Sequence, residues 1–502
     1  MAYDYKYECL KGLEPAEFFY WFGEISVLPR ETKNEKAIVD FLINFAEERN
    51  IPYSVDDIGN VFMTIPATPG YEDQPAILFQ AHTDLVAEKD PDVEFDFAKD
   101  PINLAVDGDK LYAVGTTLGA DNGVGVATML ALADPESGNK IPHPPLELLF
   151  TVQEENGLIG IRNFDCSKIK ARRMLNMDCG YTDEFCVSSA GKIGGEIIKK
   201  FEPETLDESW KTIEIKLFGG MGGHSGIMIN RSRACAVNNM GELICTLMLG
   251  SPSWNEPEKT RVRLVSLASD KKPIQKECEA VIAVPAAEYD KAIRLLEHHF
   301  RKIKAIYKNY DPDIQMTVSE CGDKNITAAL NEKDTADIAK LLVILRTGQY
   351  RADGNLFSTI ITSGSVMNTS LTSTGDFVMV FNTRSCNDAD QELLFNKYIF
   401  LAEMLGMELK VTDSYSGWPE DPDSVFCKKF INSYKELFGK DVAIERVHGG
   451  IETGHIVGQI PDMDAAGYAP TATQAHTTRE NLEISQVMPY WQVLKKVLAD
   501  KE

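Results

Sequence analysis

Between residues 53 and 181, short apolar runs alternate with helical stretches. Residues 76–80 and 146–152 are mostly apolar and of strand length, the pattern of strands covered on both faces. Residues 122–133, rich in Ala, Leu and Val, predict a buried helix after a glycine-rich loop, and residues 171–177 predict a weaker strand. Such alternation predicts an α/β layer architecture with helices on both faces of a sheet.

The pattern then changes. Residues 212–218 alternate polar and apolar, as a strand exposed on one face does. A helix over 232–249, strands near 261–267 and 278–284, a long helix over 286–310 and a strand over 313–319 follow. That order is βαββαβ, the ferredoxin-like split unit. A less regular second set follows: a helix over 334–346, strands ending at 377–382, a helix over 390–405 and a strand over 407–413. This middle block reads as an α+β domain inserted into the first. Pro and Asp cluster from Gly417 to Asp423, a boundary signal, and helices over 424–437 and 485–500 resume the α/β pattern. The expected division is 1–190 and 415–502 for the α/β domain, with 191–414 inserted.

A chain of 502 residues exceeds one compact core, in keeping with this division. No stretch approaches the roughly 20 apolar residues of a membrane helix. The first residues lack the basic and apolar regions of a signal peptide. The ten cysteines are scattered without a Cys-x-x-Cys pair, as reduced cysteines are. A cytoplasmic address is therefore expected, and the sequons at Asn230, Asn325 and Asn368 carry no weight. The net charge of −25 argues against a nucleic-acid backbone or an anionic membrane as partner.

The candidate chemistry lies in five short segments at predicted strand ends or in loops, where open α/β sheets bind ligands. His82 and Asp84 follow the first apolar run, and residues i and i+2 of extended backbone share a face. His82 suits a metal ligand with Asp84 as its orienting partner, although the pair alone reads more readily as a hydrogen-bonded strand end. Asp121 sits among glycines just before a helix; no third glycine or Lys-Ser/Thr completes a nucleotide loop. Its carboxylate can face two cations, or simply cap the helix. Glu154 and Glu155 end a buried strand, where adjacent acids are costly unless paired or metal-bound. In a continuing strand their side chains take opposite faces, so one is free for metal and the other for general-base work. Asp178 and His476 each add one ligand after a strand-like run. Two histidines and three acids suit a borderline divalent ion such as zinc, and the lack of Cys pairs argues against a structural zinc knot.

The ordered set His82-x-Asp84, Gly119-Ala-Asp121-Asn, Glu154-Glu155-x-Gly157, Asp178 and His476 resembles the co-catalytic zinc peptidases that include carboxypeptidase G, aminoacylases and dipeptidases. Phe79-Gln-Ala-His-Thr-Asp-Leu-Val86, Asn176-Met-Asp178, Gly220-Met-Gly-Gly-His-Ser-Gly226 and Val447-His-Gly-Gly-Ile-Glu-Thr-Gly454 look like blocks of the cytosol nonspecific, or aminoacyl-histidine, dipeptidases. The resemblance covers essentially the whole chain. It implies a dizinc catalytic domain with the inserted ferredoxin-like domain as a lid. His82, Asp121, Glu155, Asp178 and His476 are then the ligands of two divalent ions, zinc first and manganese or cobalt as substitutes, with Asp121 bridging. Glu154 is the general base and Asp84 supports His82.

For the lid, the resemblance implies that His224 approaches the substrate carbonyl, from the neighbouring subunit in dimeric relatives. Arg384 meets the substrate's C-terminal carboxylate, and Gly449 and Gly450 line the site. It further implies broad hydrolysis of dipeptides, X-His dipeptides included, and a homodimer through the lid. The rival readings are a deacylase of N-acyl amino acids and a non-catalytic binding protein. Among the other histidines, His298 and His299 are expected on the solvated face of a helix. Around His476 the family's Gly-Ala-His-Ser-Pro is replaced by Gln-Ala-His-Thr-Thr.

Overall fold

The computed structural model describes residues 3–137, 140–250, 258–322, 326–354 and 359–501. The chain divides into two compact units: Met1–Ser189, Trp418–Val447 and Ile451–Glu502 form one, and Ala190–Gly417 with His448–Gly450 form the other.

The first unit is built on an eight-stranded sheet. Its order is Tyr53–Val55, Val61–Ile65, Leu146–Thr151, Ile77–His82, Arg173–Asn176, Asp464–Gly467, Glu184–Ser189 and Ala443–Val447. The four central strands, from Leu146–Thr151 to Asp464–Gly467, run parallel. Ile77–His82 and Leu146–Thr151 are buried at every residue, which is why they read as apolar runs rather than alternating ones. Glu147 inside the second of these is satisfied by the backbone N–H groups of Lys170 and Ala171. Helices Ala16–Ser26, Ala120–Ala133 and Ile484–Ala499 contribute Phe18, Phe22, Met129, Leu130, Trp491 and Leu494 to the core around Phe79, Phe150 and Leu175. Gly125 lets its helix press on the sheet: a Cβ there would lie 2.6 Å from the Ala81 methyl and 3.0 Å from Met177 Cβ. Where the chain leaves this unit and returns, Ser189 and Trp418 exchange backbone hydrogen bonds of 2.9 Å each.

A second, four-stranded antiparallel sheet joins distant segments: Ala472–Thr473, Asn481–Glu483, Lys110–Ala113 and Leu104–Asp107. It places the loop after residue 113 beside the loop between residues 473 and 481.

The second unit is α+β. In its nine-stranded sheet the strands Gln315–Glu320, Trp210–Phe218, Cys278–Pro285 and Arg263–Ser269 are neighbours in that order, all antiparallel. In chain order they are the fourth, first, third and second strands of the βαββαβ block, with helices Ala236–Leu249 and Tyr289–Tyr307 as its crossovers. Ile360–Leu371, Asp376–Ser385, Gly191–Lys200 and Glu408–Tyr415 extend the same sheet. Alternation in Trp210–Phe218 buries Ile213, Ile215 and Leu217, which pack with Leu243, Ile244, Leu342 and Tyr398.

One expectation is corrected here. His298 is exposed, but His299 is buried, because Tyr289–Tyr307 turns Ala292, Leu296, His299 and Ile303 inward at helical spacing. Its Nε2 has no hydrogen-bond partner. Burial, aided by Lys302 and His298, lowers its pKa to about 4. In an unfolded chain the same imidazole titrates near 6.5. Between those values the unfolded chain holds the extra proton, so this group's contribution to stability is present above pH about 6.5 and is lost as pH falls toward 4. Urea unfolding should show a lower midpoint at pH 5 than at pH 7, and His299→Leu should narrow that gap. An equal gap in the variant would assign the acid sensitivity elsewhere.

Candidate metal centre

The parallel strands end together, and each delivers part of one cluster. Ile77–His82 ends on His82 itself. Leu146–Thr151 runs into a tight turn carrying Glu154 and Glu155, closed by N–H groups of Gly157 and Leu158 donating to the Glu154 carbonyl at 3.0 and 2.8 Å. The two acids therefore diverge because of a turn, opened by Gln153 at φ 53°, and not by strand alternation. Arg173–Asn176 leads to Asp178. Asp121 enters just inside helix Ala120–Ala133, behind Gly119, whose φ of 71° is the left-handed conformation that glycine adopts freely. Asp121 and Asn122 have non-helical backbone angles, so the carboxylate is turned out of the helical path.

His82 Nε2 lies 3.0 Å from Asp121 Oδ1 and 3.2 Å from Asp178 Oδ1. His476 Nε2 lies 3.1 Å from the other Asp121 oxygen, Oδ2, and 2.7 Å from Glu155 Oε1. Asp121 thus offers one oxygen to each histidine, and each half gains one further carboxylate. Ligand atoms about 2.0–2.2 Å from a tetrahedral zinc sit roughly 3.3 Å from one another, so these separations suit atoms sharing an ion. His82, Asp121 and Glu155 also present atoms within 4.8 Å of one another, so the two halves adjoin. The donor set fits a pair of borderline divalent ions.

Hydrogen bonds between imidazole and carboxylate link the members of the cluster. Burial works against a charged His82, but Asp178, Asp121 and Asp84 outweigh it and raise its pKa well above the usual value. His476 is raised to about 11 by Asp121 and Glu155. Asp121 is pushed up by burial, yet the two imidazoles hold it low. Asp178 rises to about 7 through burial, opposed by His82 and reinforced by Asp121. Burial raises Glu154 well above an ordinary glutamate, reinforced by Asp178, Glu155 and Glu452.

Several buried residues that the sequence reading passed over hold these groups. Glu480 accepts N–H bonds from Leu118, Gly119 and Asp121 at 2.9, 2.8 and 2.9 Å, tying the Asp121 loop to the His476 loop. Arg30 donates to the carbonyls of Thr83 and Gly119. Asp84 supports His82 chiefly through its backbone carbonyl, 3.0 Å from Nδ1, while its carboxylate stands 3.5 Å away. That carboxylate instead accepts the Glu154 and Glu155 N–H groups and the Thr32 hydroxyl. Beneath Asp178 runs a fully buried relay. Glu452 accepts from Thr151 and from the Gln80 amide; Gln80 accepts from Asn176 at 2.6 Å; Asn176 accepts the Asp178 N–H at 3.0 Å. The signals were present in Asn176-Met-Asp178 and Ile451-Glu452-Thr453, but nothing in one sequence shows which polar residues a fold buries. Gln474 and His476 adopt φ of 58° and 63°. Gln474, which is not a glycine, bears this strain at a cost on the order of 1 kcal/mol.

The remaining candidates lie in the second unit. His224 Nδ1 accepts the Gly226 N–H at 3.1 Å. Arg384 is buried, donating to Ser225 Oγ and Tyr415 Oη at 3.3 Å each. Gly449 accepts the Ala190 N–H at 2.9 Å, and Gly450 leaves room for the Tyr415 phenol. His448 meets Ser363 Oγ at 2.7 Å and is held neutral, its pKa lowered to about 3 by burial and Arg384.

The sequence pattern of peptidase family M20/M25/M40 matches residues 78–500. The chain belongs to this family. It is 28% identical to the cytosol non-specific dipeptidase of Escherichia coli (strain K12) over 98% of its length and 99% of that protein. The crystal structure of aminoacylhistidine dipeptidase from Vibrio alginolyticus superposes with a TM-score of 0.87 at 27% identity, covering 98% of each chain. The dipeptidase Dug1p from Saccharomyces cerevisiae shares the fold, with a TM-score of 0.51 at 12% identity over 96% of this chain and 95% of that one. Members of the M20/M25/M40 family use metal ions, and the His/Asp/Glu cluster is the matching feature in this chain. Among the described residues no helix is long and apolar enough to cross a membrane.

Outer-shell partners of metal ligands are worth about 10–100-fold in affinity. Asn176→Ala should therefore weaken zinc binding by about that factor, read by competition with a chromophoric chelator. Wild-type affinity in the variant would show that the relay does not position Asp178.

Proposed function

We propose that this protein is a metal-dependent dipeptidase of broad specificity, X-His dipeptides included. The observation that carries this reading is Asp121, whose two carboxylate oxygens are shared between His82 and His476. His82, Asp121 and Asp178 form one site for a divalent ion, and His476, Asp121 and Glu155 the other, with zinc the first choice. When bound, such ions lower the pKa of a water from about 15.7 toward 7 and polarise the peptide carbonyl.

Glu154 supplies the proton traffic. It stands in the turn that follows the fully buried strand Leu146–Thr151, and its raised proton affinity suits a group that takes a proton from water and returns one. Its carboxylate removes the proton as water attacks the peptide carbonyl, then delivers it to the leaving amine. The N–H bonds from Glu154 and Glu155 to Asp84 keep that turn in place. In the second unit, Arg384 carries a guanidinium suited to the substrate's C-terminal carboxylate, and His224 is assigned to its carbonyl. Gly449 and Gly450 contribute backbone. Recognising both termini limits the substrate to about two residues. As part of the same reading, the second unit serves as lid and dimerisation domain. Its helix Asp388–Met404 leaves Leu393, Phe400 and Met404 exposed, an apolar stripe that a second copy can cover.

The test is hydrolysis of Ala-Ala, Gly-Leu, an X-His dipeptide and β-Ala-His beside N-acetylated amino acids, with and without chelator. Cleavage of free dipeptides that stops with chelator and returns with zinc or manganese is expected. Activity confined to the acylated amino acids would make the protein a deacylase. Glu154→Gln should lower kcat by about 10²–10⁴-fold with metal content unchanged, read by single-turnover kinetics and metal analysis. Near-normal turnover would remove Glu154 as the base.

A further inference from the structure

A cavity of about 170 Å³ in the first unit opens beside Asp121 and Asp178. That is comparable to the space that takes up one benzene-sized group. Its walls are apolar, made by Val124, Met177, Val447, Ile451, Ala469 and Pro470, but Glu445 also faces it. Glu445 lies on strand Ala443–Val447 and accepts the Gly180 N–H at 3.2 Å, which holds its carboxylate over the turn following Asp178. Among the described residues no cation is paired with it. The neighbouring Arg446 is engaged with both oxygens of Glu420, at 2.6 and 2.8 Å. Burial raises the pKa of Glu445, and repulsion from Glu184 adds to it, against the Gly180 N–H. A half-buried carboxylate among apolar walls, facing no opposite charge, gains when a cation joins it.

We propose that this cavity receives the side chain of the substrate's N-terminal residue, and that Glu445 selects side chains ending in an ammonium or guanidinium group. The inference rests on the proposed function, because Asp121 and Asp178 mark the reacting end of the cavity only if they hold the metals. The substrate's α-amino group is tethered next to the scissile carbonyl and stays at that end. Gly180 lies two residues beyond Asp178, a span of up to about 7 Å, which a lysine or arginine side chain covers along the apolar walls.

The experiment compares kcat/KM of the zinc-loaded enzyme for Lys-Ala, Met-Ala and Glu-Ala in wild type, Glu445→Gln and Glu445→Lys. Wild type should prefer Lys-Ala over Met-Ala by about tenfold or more, the scale of one charge-assisted contact. Glu445→Gln should lower that ratio about tenfold, and Glu445→Lys should turn the preference toward Glu-Ala. Wild-type enzyme that cleaves Met-Ala as well as Lys-Ala overturns the proposal without recourse to a variant. So does a Lys-Ala to Met-Ala ratio that Glu445→Gln leaves unchanged while both rates fall together, the behaviour of a structural or α-ammonium-binding residue. Wild type that cleaves no dipeptide would instead remove the proposed function and the cavity assignment with it.

Discussion

Gathering negative charge at the carboxyl ends of buried strands is the constraint around which the first unit is arranged. Asp121, Glu154, Glu155 and Asp178 converge with His82 and His476, and Glu452 lies buried beneath them. Carboxylates so placed repel one another and lose their water, which is why burial heads the causes that raise Glu154, Asp178 and Glu452. Two imidazoles between carboxylate oxygens are the chain's own partial remedy. Two dications would neutralise the cluster far more completely, so the same crowding that costs stability makes the place a receptor for metal.

Such a cluster has to be assembled from segments far apart in the chain, and rigidity comes from buried polar groups rather than from the loops alone. Glu480 spends its carboxylate on three backbone N–H groups of the Asp121 loop, so the loop carrying His476 and the loop carrying Asp121 move as one. Asp84 does the same between the His82 strand and the Glu154 turn. The Glu452, Gln80 and Asn176 relay carries the restraint across three strands to Asp178. Each of these groups is buried, and each leaves a desolvated partner behind if removed, so they act as a lattice rather than as separate contacts.

The second unit follows a different logic. Its sheet is antiparallel, its core lies under amphipathic strands and helices, and its polar functional candidates sit in a glycine-rich loop and at strand ends. The buried Arg384 and Ser225 form a small polar group with the half-buried Tyr415, with His448 kept neutral beside them. A positive guanidinium and a neutral imidazole in one place favour an anionic ligand group, in keeping with the carboxylate assigned to Arg384.

What the chain declares by itself is local. Apolar runs such as residues 77–82 and 146–151, helical periodicity in 236–249, and the alternation of 210–218 are visible because burial imposes a period on each element. The metal-type residues are visible because few roles other than coordination concentrate His, Asp and Glu at strand ends. Tertiary structure decided what depends on distant residues meeting. It turned His299 inward. It carried the two glutamates on a turn and not on a continuing strand, and it put the backbone of Asp84, more than its carboxylate, against His82. It also made Glu480, Gln80, Asn176 and Glu445 matter, residues whose types are common and whose neighbours lie up to hundreds of positions away. A period can be read along a line, whereas a buried hydrogen bond between residues 80 and 452 exists only once the sheet has brought them together.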